Sequence, residues 1–455
     1  MGRPTFSLLK ELEESQWLSA ARLRELQADK LRQLFCHVSR SVHSYRQWFR
    51  TQQIEPASAN PFAVLKRLPL VDKRTLAEQV VVWDRLSSRS NDPGAPGVRL
   101  SHIGRRVKLM STGGSTGEPL RFLVDSVRSA YDKAARMRTH RWFGVEPGDK
   151  EAYLWGAPIA NHRQGRAHAL RDFFLNDLLL SAFNLSTDST RRYLRKMAAF
   201  KPACVFGYPS SLAKFCQFAR GLEQMPRLGA LKAVFVTGEV LDDQQRNILE
   251  DFFQAPVADS YGGRDSGFCA HECEHGHMHV TSEHIVMEII DTQAHGFESV
   301  GFGETGEIVV TNLDNFATPF IRYRTGDMGR RLDITCPCGR GLEVMDVVAG
   351  RRTDHLVASD GSLRHALSLI YLMRETEGVD QFQIHQQRDR SIDVQVVASR
   401  GLSEKSRDHV LRGVRKCLGE SLSTRLHIVE RIDCQPSGKL RHVVSEATEP
   451  TKRPG

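Results

Sequence analysis

The order of apolar and polar positions predicts a helical opening followed by alternating strands and helices. Within residues 1–60, leucines recur about three to five residues apart, as on one face of a helix. Between residues 107 and 350, short β-rich runs such as ACVFGYP, LKAVFVTGE and GEIVVTNL alternate with amphipathic runs such as SLAKFCQFARGLEQ and DDQQRNILEDFF. This alternation predicts an α/β domain built on a mixed or parallel sheet.

The pattern changes near Gly350. The runs FQIHQQ, SIDVQVVAS and RLHIVERI have the composition of strands, and SEKSRDHVLRGVRKCLGESL has a helical period. These elements predict a second, compact α+β domain. We therefore expect domains at 1–350 and 351–446, followed by a flexible tail at 447–455 that lacks apolar anchors.

Composition narrows the class of protein. With 40% hydrophobic and 26% charged residues among 455, the chain can bury a sizeable core and is not of the disordered class. The formal net charge of +9 comes from basic residues spread along the chain, which suits an anionic small substrate and does not indicate a nucleic-acid partner. No stretch approaches the roughly 18 apolar residues of a membrane span, so no membrane partner is expected.

A glycine-rich segment, STGGSTGEP, lies between two apolar runs. Its glycines let a turn expose several backbone N–H groups, and its hydroxyls add donors, so the segment could surround phosphate oxygens. No lysine follows the last glycine, so this is not the common P-loop pattern, and a simple hairpin is the alternative. The candidate phosphate ligands are Ser111, Thr112, Gly113, Gly114, Ser115, Thr116 and Gly117.

Two further segments carry groups that a nucleotide requires. In ATPFIRYRTGD, a predicted tight turn would place Arg322, Arg324 and Asp327 together, guanidinium groups for anions beside a carboxylate for hydroxyls. The alternative is a solvated hairpin with a surface ion pair. Near the end of the chain, Lys439 follows Pro, Ser and Gly in another predicted turn, for which an ordinary solvated lysine is the alternative.

Cysteine and histidine recur in two short segments at spacings suited to a metal. ECEHGHMHV (272–280) and ITCPCGRG (334–341) could supply a Cys₃His set for a closed, structural Zn²⁺ site. Reduced, unbonded cysteines on loops are the alternative. Nine cysteines, an odd count, favour a reducing, cytoplasmic location. The predicted ligands are Cys273, His279, Cys336 and Cys338, with His275 or His277 as rival fourth ligands.

Taken in order, these motifs resemble those of the adenylate-forming enzymes. STGGSTGEP, SYGGRD, IRYRTGD, the GRRTDHLV junction and PSGK follow one another as in that superfamily, and the chain is most similar to its phenylacetate–CoA ligase and coenzyme F390 synthetase (CapK-like) branch. RLPLVDK, FGYPSSL, CPCGRG and FQIHQ are typical of the branch. The resemblance implies a large N-terminal domain with mixed sheets and helices, and a small mobile α+β C-terminal domain.

The resemblance also implies roles for individual residues toward ATP. The 111–117 loop would bind the β- and γ-phosphates. Gly238 and Glu239 would line the adenine, and Tyr261 would stack on it. Asp327 would bind the ribose hydroxyls.

The residues expected to take part in the reaction include departures from the family pattern. Asp265 would lie near Mg²⁺, where relatives have Glu. Arg351 would reach the nucleotide from the interdomain junction, and Lys439 would bridge the carboxylate and the α-phosphate. Many relatives have Lys in place of Glu118 and Asp in place of Thr353, so the hinge and the metal geometry depart from the pattern here.

The resemblance implies a two-step ligase with an aromatic acyl pocket. Trp155, Phe206 and Tyr208 lie where the family forms that pocket, although ordinary core packing is an equal alternative. The expected activity is ATP-dependent conversion of a carboxylic acid, aryl or arylacetic, to an acyl-adenylate, followed by transfer to CoA. Adenylyl transfer to a cofactor or amide formation without CoA is a second enzymatic hypothesis, and a decayed nucleotide-binding zinc protein is the non-enzymatic one. A homodimer is one alternative for the oligomeric state.

Overall fold

The structure is a computed structural model of the chain. It describes residues 3–447 apart from 77–98, 101–104, 112–119, 156–175, 183–184, 225, 227, 292–297, 352–354, 361–362, 367–368, 371, 374–375, 400 and 434–439. The chain divides into two compact units, of which the first comprises residues 1–325 and 329–347, and the second 326–328 and 348–455. The predicted boundary near Gly350 lies close to this division.

The chain opens with helices, as the leucine spacing predicts. Ser19 begins the second of them, because its hydroxyl accepts a hydrogen bond from the Arg22 N–H and so satisfies a free donor of the first turn. Leu31 and Leu34 of that helix are buried against a core that includes Val286 and Ile321. The opening helices are α1 (Arg3–Ser15), α2 (Ala20–Ser41), α3 (His43–Thr51) and α4 (Pro61–Arg67).

The rest of the first unit alternates strands with helices. Three strands form a small antiparallel sheet in the order β1-β2-β3. The helices are α5 (Ser126–Arg141), α6 (Thr187–Phe200), α7 (Pro209–Arg220) and α8 (Asp243–Phe253). The strands are β1 (Arg99–Leu100), β2 (Arg105–Ser111), β3 (Arg121–Asp125), β4 (Glu151–Trp155), β5 (Asp177–Ser181), β6 (Cys204–Gly207), β7 (Ala233–Thr237), β8 (Val257–Gly263), β9 (Gly267–Glu272), β10 (Met278–Val280), β11 (Ile285–Ile290), β12 (Gly306–Asn312), β13 (Tyr323–Leu332) and β14 (Val344–Arg351).

A large mixed sheet forms the centre of the first unit. Its strand order is β11-β12-β13-β14-β10-β9-β8-β7-β6-β4-β5. Strands β4 to β8 pair in parallel, and the pairing becomes antiparallel from β8 to β9. One face of the parallel part is buried under α6, α7 and α8, and the other lies beside α5, whose His140 ring stacks on Phe235 at 3.8 Å. This arrangement confirms the predicted α/β class.

The second unit contains the predicted α+β elements. A four-stranded sheet has the order β19-β18-β17-β20, and the helix buries Val410, Val414 and Leu418. Among the helices that the structure describes, none combines the length and apolar composition required to cross a membrane. The elements are β15 (His355–Val357), β16 (Leu363–His365), β17 (Gln381–Gln386), β18 (Ile392–Val397), α9 (Glu404–Leu418), β19 (Thr424–Ile428) and β20 (Val443–Ser445).

A buried ion pair, not expected from the sequence, ties α1 to the sheet. The Arg138 Nη1 atom donates to Glu283 Oε1 at 2.6 Å and to the Leu12 carbonyl at 3.2 Å, and both charged side chains are at most 3% exposed. Ser15 donates to the same Glu283 oxygen. The pair therefore links the C-terminal end of α1, α5 and the segment before β11.

Removing one member of this pair should be strongly destabilising. Glu283→Ala leaves Arg138 buried without a counter-charge, so we expect the free energy of unfolding to fall by about 3–5 kcal/mol. The matched control is Glu14→Ala, because Glu14 makes an exposed pair with Lys10 in α1; little change is expected there. Denaturant unfolding followed by circular dichroism would measure both, and equal effects would contradict a structural role for the buried pair.

Candidate active site and metal centre

The carboxyl ends of three parallel strands bring four predicted site residues to one edge of the sheet. Strands β6, β7 and β8 are paired in parallel. Tyr208 follows β6, Gly238 and Glu239 follow β7, and Tyr261 lies near the end of β8. Glu239 Oε2 accepts a hydrogen bond from the Ser210 N–H at 3.1 Å, in the first turn of α7. Ligands of open α/β sheets commonly bind at this edge.

The glycine-rich segment starts beside the same edge. Strands β2 and β3 are antiparallel neighbours with Ser111 opposite Arg121, so the 112–119 segment connects the two strands. Residues Thr112 to Gly117, like Glu118, lie outside the described residues. Ser111 itself is described, and its carbonyl accepts a hydrogen bond from Arg264 Nη1 at 3.2 Å. The strand entering the segment therefore contacts the residue that precedes Asp265.

Asp265 is held by a tyrosine that the sequence did not identify as a partner. Its Oδ2 accepts a hydrogen bond from the Tyr323 hydroxyl at 2.8 Å, and its Oδ1 accepts one from the Ser266 N–H at 3.0 Å. The Arg264 carbonyl accepts from Arg128 Nη2 at 2.8 Å, which fixes the backbone just before Asp265. An oriented carboxylate of this kind is a suitable ligand for Mg²⁺.

A network of buried charged residues contacts the backbone on both sides of Asp265. Arg128 pairs with Asp132 at 3.3 Å, and Asp132 Oδ1 accepts a hydrogen bond from the Phe268 N–H at 2.9 Å. His284, fully buried, lies between Asp132 and Asp314, at 3.5 Å and 2.9 Å. Local sequence patterns do not indicate this network, because its residues come from α5, the segment before β11 and the segment after β12.

The network predicts a stability optimum on the acid side of neutrality. Burial by itself raises the pKa of Asp132, but Arg128 and His284 lower it to about 2, so its stabilising contribution is present above the unfolded value of 3.8 and is lost as pH falls toward 2. Burial lowers the pKa of His284, but Asp132 and Asp314 raise it above 6.5 overall, so that contribution is present below pH 6.5 and is lost as pH rises past its folded value.

Denaturant unfolding at a series of pH values tests this prediction. We expect Asp132→Asn to flatten the loss of stability between pH 3.8 and 2 and to weaken the loss on the alkaline side, since His284 loses a partner. Asp188→Asn is the control, because Asp188 forms an exposed pair with Arg191. An unchanged acid limb in Asp132→Asn would contradict the assignment.

The three predicted pocket aromatics come together. The Trp155 ring stacks on Tyr208 with centroids 4.2 Å apart and an interplanar angle of 22°, and it lies 5.5 Å from Phe206. Trp155 ends β4, and the two other side chains belong to β6 and the residue after it. They form one aromatic surface beside the strand ends.

The predicted turn around Thr325 and Gly326 is wrong, because both residues belong to strand β13. Arg322 is buried and donates to both carboxylate oxygens of Glu288 at 3.1 Å. Arg324 donates to Glu307 Oε2 at 3.0 and 2.7 Å. Both guanidinium groups thus neutralise internal carboxylates, which excludes the predicted role as free anion ligands.

The remaining predicted site residues belong to the second unit. Asp327 is a half-buried residue of β13, and Arg351 is the last residue of β14. Lys439 and Thr353 lie outside the described residues. Their roles therefore stay predictions.

The predicted zinc ligands converge at the ends of two hairpins. Cys273 lies between β9 and β10, and Cys336 and Cys338 lie between β13 and β14. With His279, their donor atoms all lie within 4.8 Å of one another. The Cys273 and Cys336 sulfurs are 3.6 Å apart, and the Cys338 sulfur lies 3.3 Å from His279 Nε2.

These distances fit a tetrahedral zinc ion. With Zn–S near 2.3 Å and Zn–N near 2.0–2.1 Å, neighbouring donors are separated by about 3.5–3.8 Å. His279 Nδ1 lies 3.3 Å from the Leu342 carbonyl, an arrangement that orients Nε2 toward the sulfurs. His277 approaches Cys336 at 3.2 Å but lies outside the four-atom group, and His275 donates its backbone N–H to Cys273. The geometry favours His279 over both rivals.

Comparisons with known proteins agree with this fold and these motifs. Residues 356–446 match the CapK C-terminal domain family. Protein CapK of Staphylococcus aureus is 22% identical over 437 residues, which cover 93% of this chain and 89% of that protein. The phenylacetate-coenzyme A ligase of Aromatoleum evansii is 26% identical over 361 residues, 76% of this chain and 74% of that protein.

A solved structure has the same fold over nearly the whole chain. The 2-hydroxyisobutyryl-CoA ligase in the postadenylation state, in complex with R3-HIB-AMP, superposes with a TM-score of 0.72 at 18% identity, over 95% of this chain and 91% of that one. The matched sequence, the shared fold and the order of the motifs lead to the same assignment. Along most of its length the chain is similar to CapK and the phenylacetate–CoA ligases, a branch of the adenylate-forming enzymes, and it has the fold of a CoA ligase of known structure.

Proposed function

We propose that this protein activates a carboxylic acid with ATP as an acyl-adenylate and then transfers the acyl group to CoA. The observation that carries the proposal is the contact between Arg264 and Ser111, which joins the start of the glycine-rich segment to the segment of Asp265. The phenylacetate-coenzyme A ligase relatives support the reaction class, since they match along most of the chain.

The chemistry proceeds in two displacements. In the first, a carboxylate oxygen of the acid attacks the α-phosphorus of ATP, the bond to the β-phosphate oxygen breaks, and pyrophosphate leaves. In the second, the CoA sulfur attacks the acyl carbon, AMP leaves, and the thiol proton passes to solvent. Because negative charge accumulates around the α-phosphate in the first step, fixed cations and N–H donors lower its barrier.

The described residues support a division of labour in the first step. Ser111 and the segment after it are proposed to bind the β- and γ-phosphates, and Asp327 the ribose. Glu239, held by the first turn of α7, is proposed to line the adenine beside Gly238 and Tyr261. Asp265, oriented by Tyr323, is proposed to hold Mg²⁺, an ion that neutralises phosphate charge when bound.

Residues of the second unit are proposed to complete the site. Lys439 would supply a cation to the carboxylate and α-phosphate during adenylation, and Arg351 would contact the nucleotide. Because the second step needs a different arrangement, we propose a hinge at residues 350–354, where Thr353 replaces the usual Asp.

We further propose that Cys273, His279, Cys336 and Cys338 hold a structural Zn²⁺. A set of three thiolates and one imidazole leaves no open position, so the ion would connect the two hairpins rather than take part in the reaction. Thiolate ligands require a reducing compartment, which supports a cytoplasmic location.

A pyrophosphate-exchange screen tests the proposed function. Purified protein is incubated with Mg·ATP, labelled pyrophosphate and each member of a panel of aryl, arylacetic and short aliphatic acids. We expect exchange with an aryl or arylacetic acid, its loss in Asp265→Asn, and its retention in Asp188→Asn. Mass spectrometry of products with and without CoA then identifies the acceptor.

The outcomes separate the hypotheses. A thioester formed only with CoA supports the proposal, whereas an AMP-bearing or amide product without CoA would replace the second step. Absence of both exchange and stabilisation by ATP across the panel would favour a decayed nucleotide-binding protein, because a ligand that binds the native state must stabilise it.

A further inference from the structure

One face of the large sheet carries aromatic surface that is incompletely covered. Tyr153 and Trp155 on β4 and Phe206 on β6 are half-buried on the face beside α5. On the opposite face of the same strands, the intervening residues Leu154 and Val205 are fully packed in the core. Because side chains alternate between faces, the exposure belongs to one face only.

A guanidinium group lies over this aromatic face. The Arg136 Cζ atom is 4.7 Å from the Phe206 ring centroid and 5.3 Å from that of Tyr153. Its Nη2 donates to Glu151 at 2.5 Å and to the Tyr153 hydroxyl at 2.7 Å, and its Nε donates to His140 at 3.3 Å. The side chain keeps 31% exposure, and Nη1 donates to none of the described residues.

The charges of this set are balanced. Burial by itself raises the pKa of Glu151, but His140 and Arg136 lower it to about 2, so the carboxylate is ionised. Burial and Arg136 lower the pKa of His140 to about 4, so its imidazole is neutral at pH 7. Arg136 and Glu151 therefore form a neutral pair with one N–H group, Nη1, that is not used by any residue in the described part of the chain.

The same pairing argues against a metal at this position. Donor atoms of His140, Glu151 and Cys204 lie within 4.8 Å of one another, as a metal site would require. However, the Arg136 guanidinium already holds the carboxylate, and a divalent cation there would face its positive charge. The unused donor instead suits a neutral acceptor.

We propose that Arg136 selects the acid by donating from Nη1 to an uncharged oxygen substituent at the end of its ring distal to the carboxyl group. The proposal rests on the proposed function, since it places the ring against Trp155 and Phe206 with the carboxyl group toward the strand ends. A strand rises about 3.3 Å per residue, so Tyr153 lies about 7 Å along β4 from Trp155, comparable to the length of a substituted benzene ring.

Hydrogen bonding defines the substrate class. A hydroxyl or carbonyl oxygen accepts from Arg136 without changing the charge of the set. A second carboxylate would add a negative charge beside a pair that is already neutral, and a methyl group would leave the donor unpaired. The structure therefore favours hydroxyaryl or hydroxyarylacetic acids over their unsubstituted, methylated and dicarboxylic counterparts.

Calorimetric titration of the full chain without ATP tests this preference directly. The probes are 4-hydroxyphenylacetate, 4-methylphenylacetate and 1,4-phenylenediacetate. We expect the hydroxy acid to bind about tenfold more tightly than either analogue, the effect of one hydrogen bond to a charged donor. The double variant Arg136→Met/Glu151→Gln keeps the site neutral and should abolish the preference. Arg220→Met, at an exposed pair with Asp251, should retain it.

These outcomes test the proposed role of Arg136 separately from the proposed ligase reaction. Equal binding of the hydroxy and methyl acids, no binding of any of the three, or a preference that persists in the double variant would overturn it. If the hydroxy acid binds preferentially but no pyrophosphate exchange occurs, the role of Arg136 is supported and the proposed reaction is contradicted. If exchange occurs but favours unsubstituted acids, the reaction is supported and the role of Arg136 is contradicted. If the double variant is not folded by circular dichroism, Tyr153→Phe provides the test. It removes the hydroxyl that accepts from Arg136, so the guanidinium is less firmly oriented and a reduced preference is expected.

Discussion

Replacing Lys439 by alanine should abolish acyl-adenylate formation while sparing thioester formation. The lysine is proposed to offset charge around the α-phosphate in the first step only, so we expect pyrophosphate exchange to fall by about 10²–10³-fold. When preformed acyl-adenylate is supplied with CoA, the thioester should form at close to the normal rate, because AMP departure does not require this cation. The two half-reactions are measured separately on the same preparation.

A matched lysine distinguishes this role from a general effect of charge. Lys405 lies in the first turn of α9, in the same unit of the chain. Lys405→Ala should leave both half-reactions unchanged. Equal losses in both half-reactions of Lys439→Ala would contradict the proposed role, and so would undiminished exchange.

Replacing the proposed zinc ligands should remove the metal and destabilise the first unit. We expect His279→Ala and Cys336→Ser to lower the zinc content from about one ion per chain to near zero. Losing a structural metal is among the most damaging single changes, so the free energy of unfolding should fall on the order of 4 kcal/mol or more. Metal analysis by mass spectrometry and denaturant unfolding, both on protein purified without chelator, give the two quantities.

The chain offers a close control for this prediction. His277 lies two residues from His279 but outside the group of four donor atoms, so His277→Ala should keep its zinc. Cys36→Ser, at a half-buried cysteine in α2, should likewise keep it. If His279→Ala retained zinc and His277→Ala lost it, His277 would be the ligand instead of His279. A metal content near zero in the unsubstituted protein would contradict the proposed zinc site.

The proposed zinc ligands illustrate what spacing can and cannot predict. Cysteine and histidine are uncommon enough that two dense segments indicated a metal, and all four predicted ligands lie together. Choosing among three nearby histidines required the direction of β10 and its pairing with β9 and β14, which place His279 beside Cys338. That pairing joins segments far apart in the chain, so local sequence carries no record of it.

Four arginines also show that sequence patterns do not predict the partner of a charged side chain. The sequence predicted Arg322 and Arg324 to be anion ligands, but Arg322 is paired with Glu288 on β11 and Arg324 with Glu307 on β12. No sequence motif singled out Arg128 and Arg136 of α5, yet one donates to the backbone before Asp265 and the other lies over the aromatic face. A charged side chain acquires its role from the partner that the fold brings to it.

Residue type and periodicity were sufficient for the class of fold, the order of motifs and the elements of both units. Helical and strand periods are local properties, and glycine-rich or cysteine-rich segments are recognisable wherever they lie. Only the packing of the sheet decided that Tyr323 orients Asp265, that His284 lies between two carboxylates, and that Arg136 lies over Phe206. These contacts join residues distant in sequence. The free energy of each charged group depends on its burial, and burial is defined only in the folded chain.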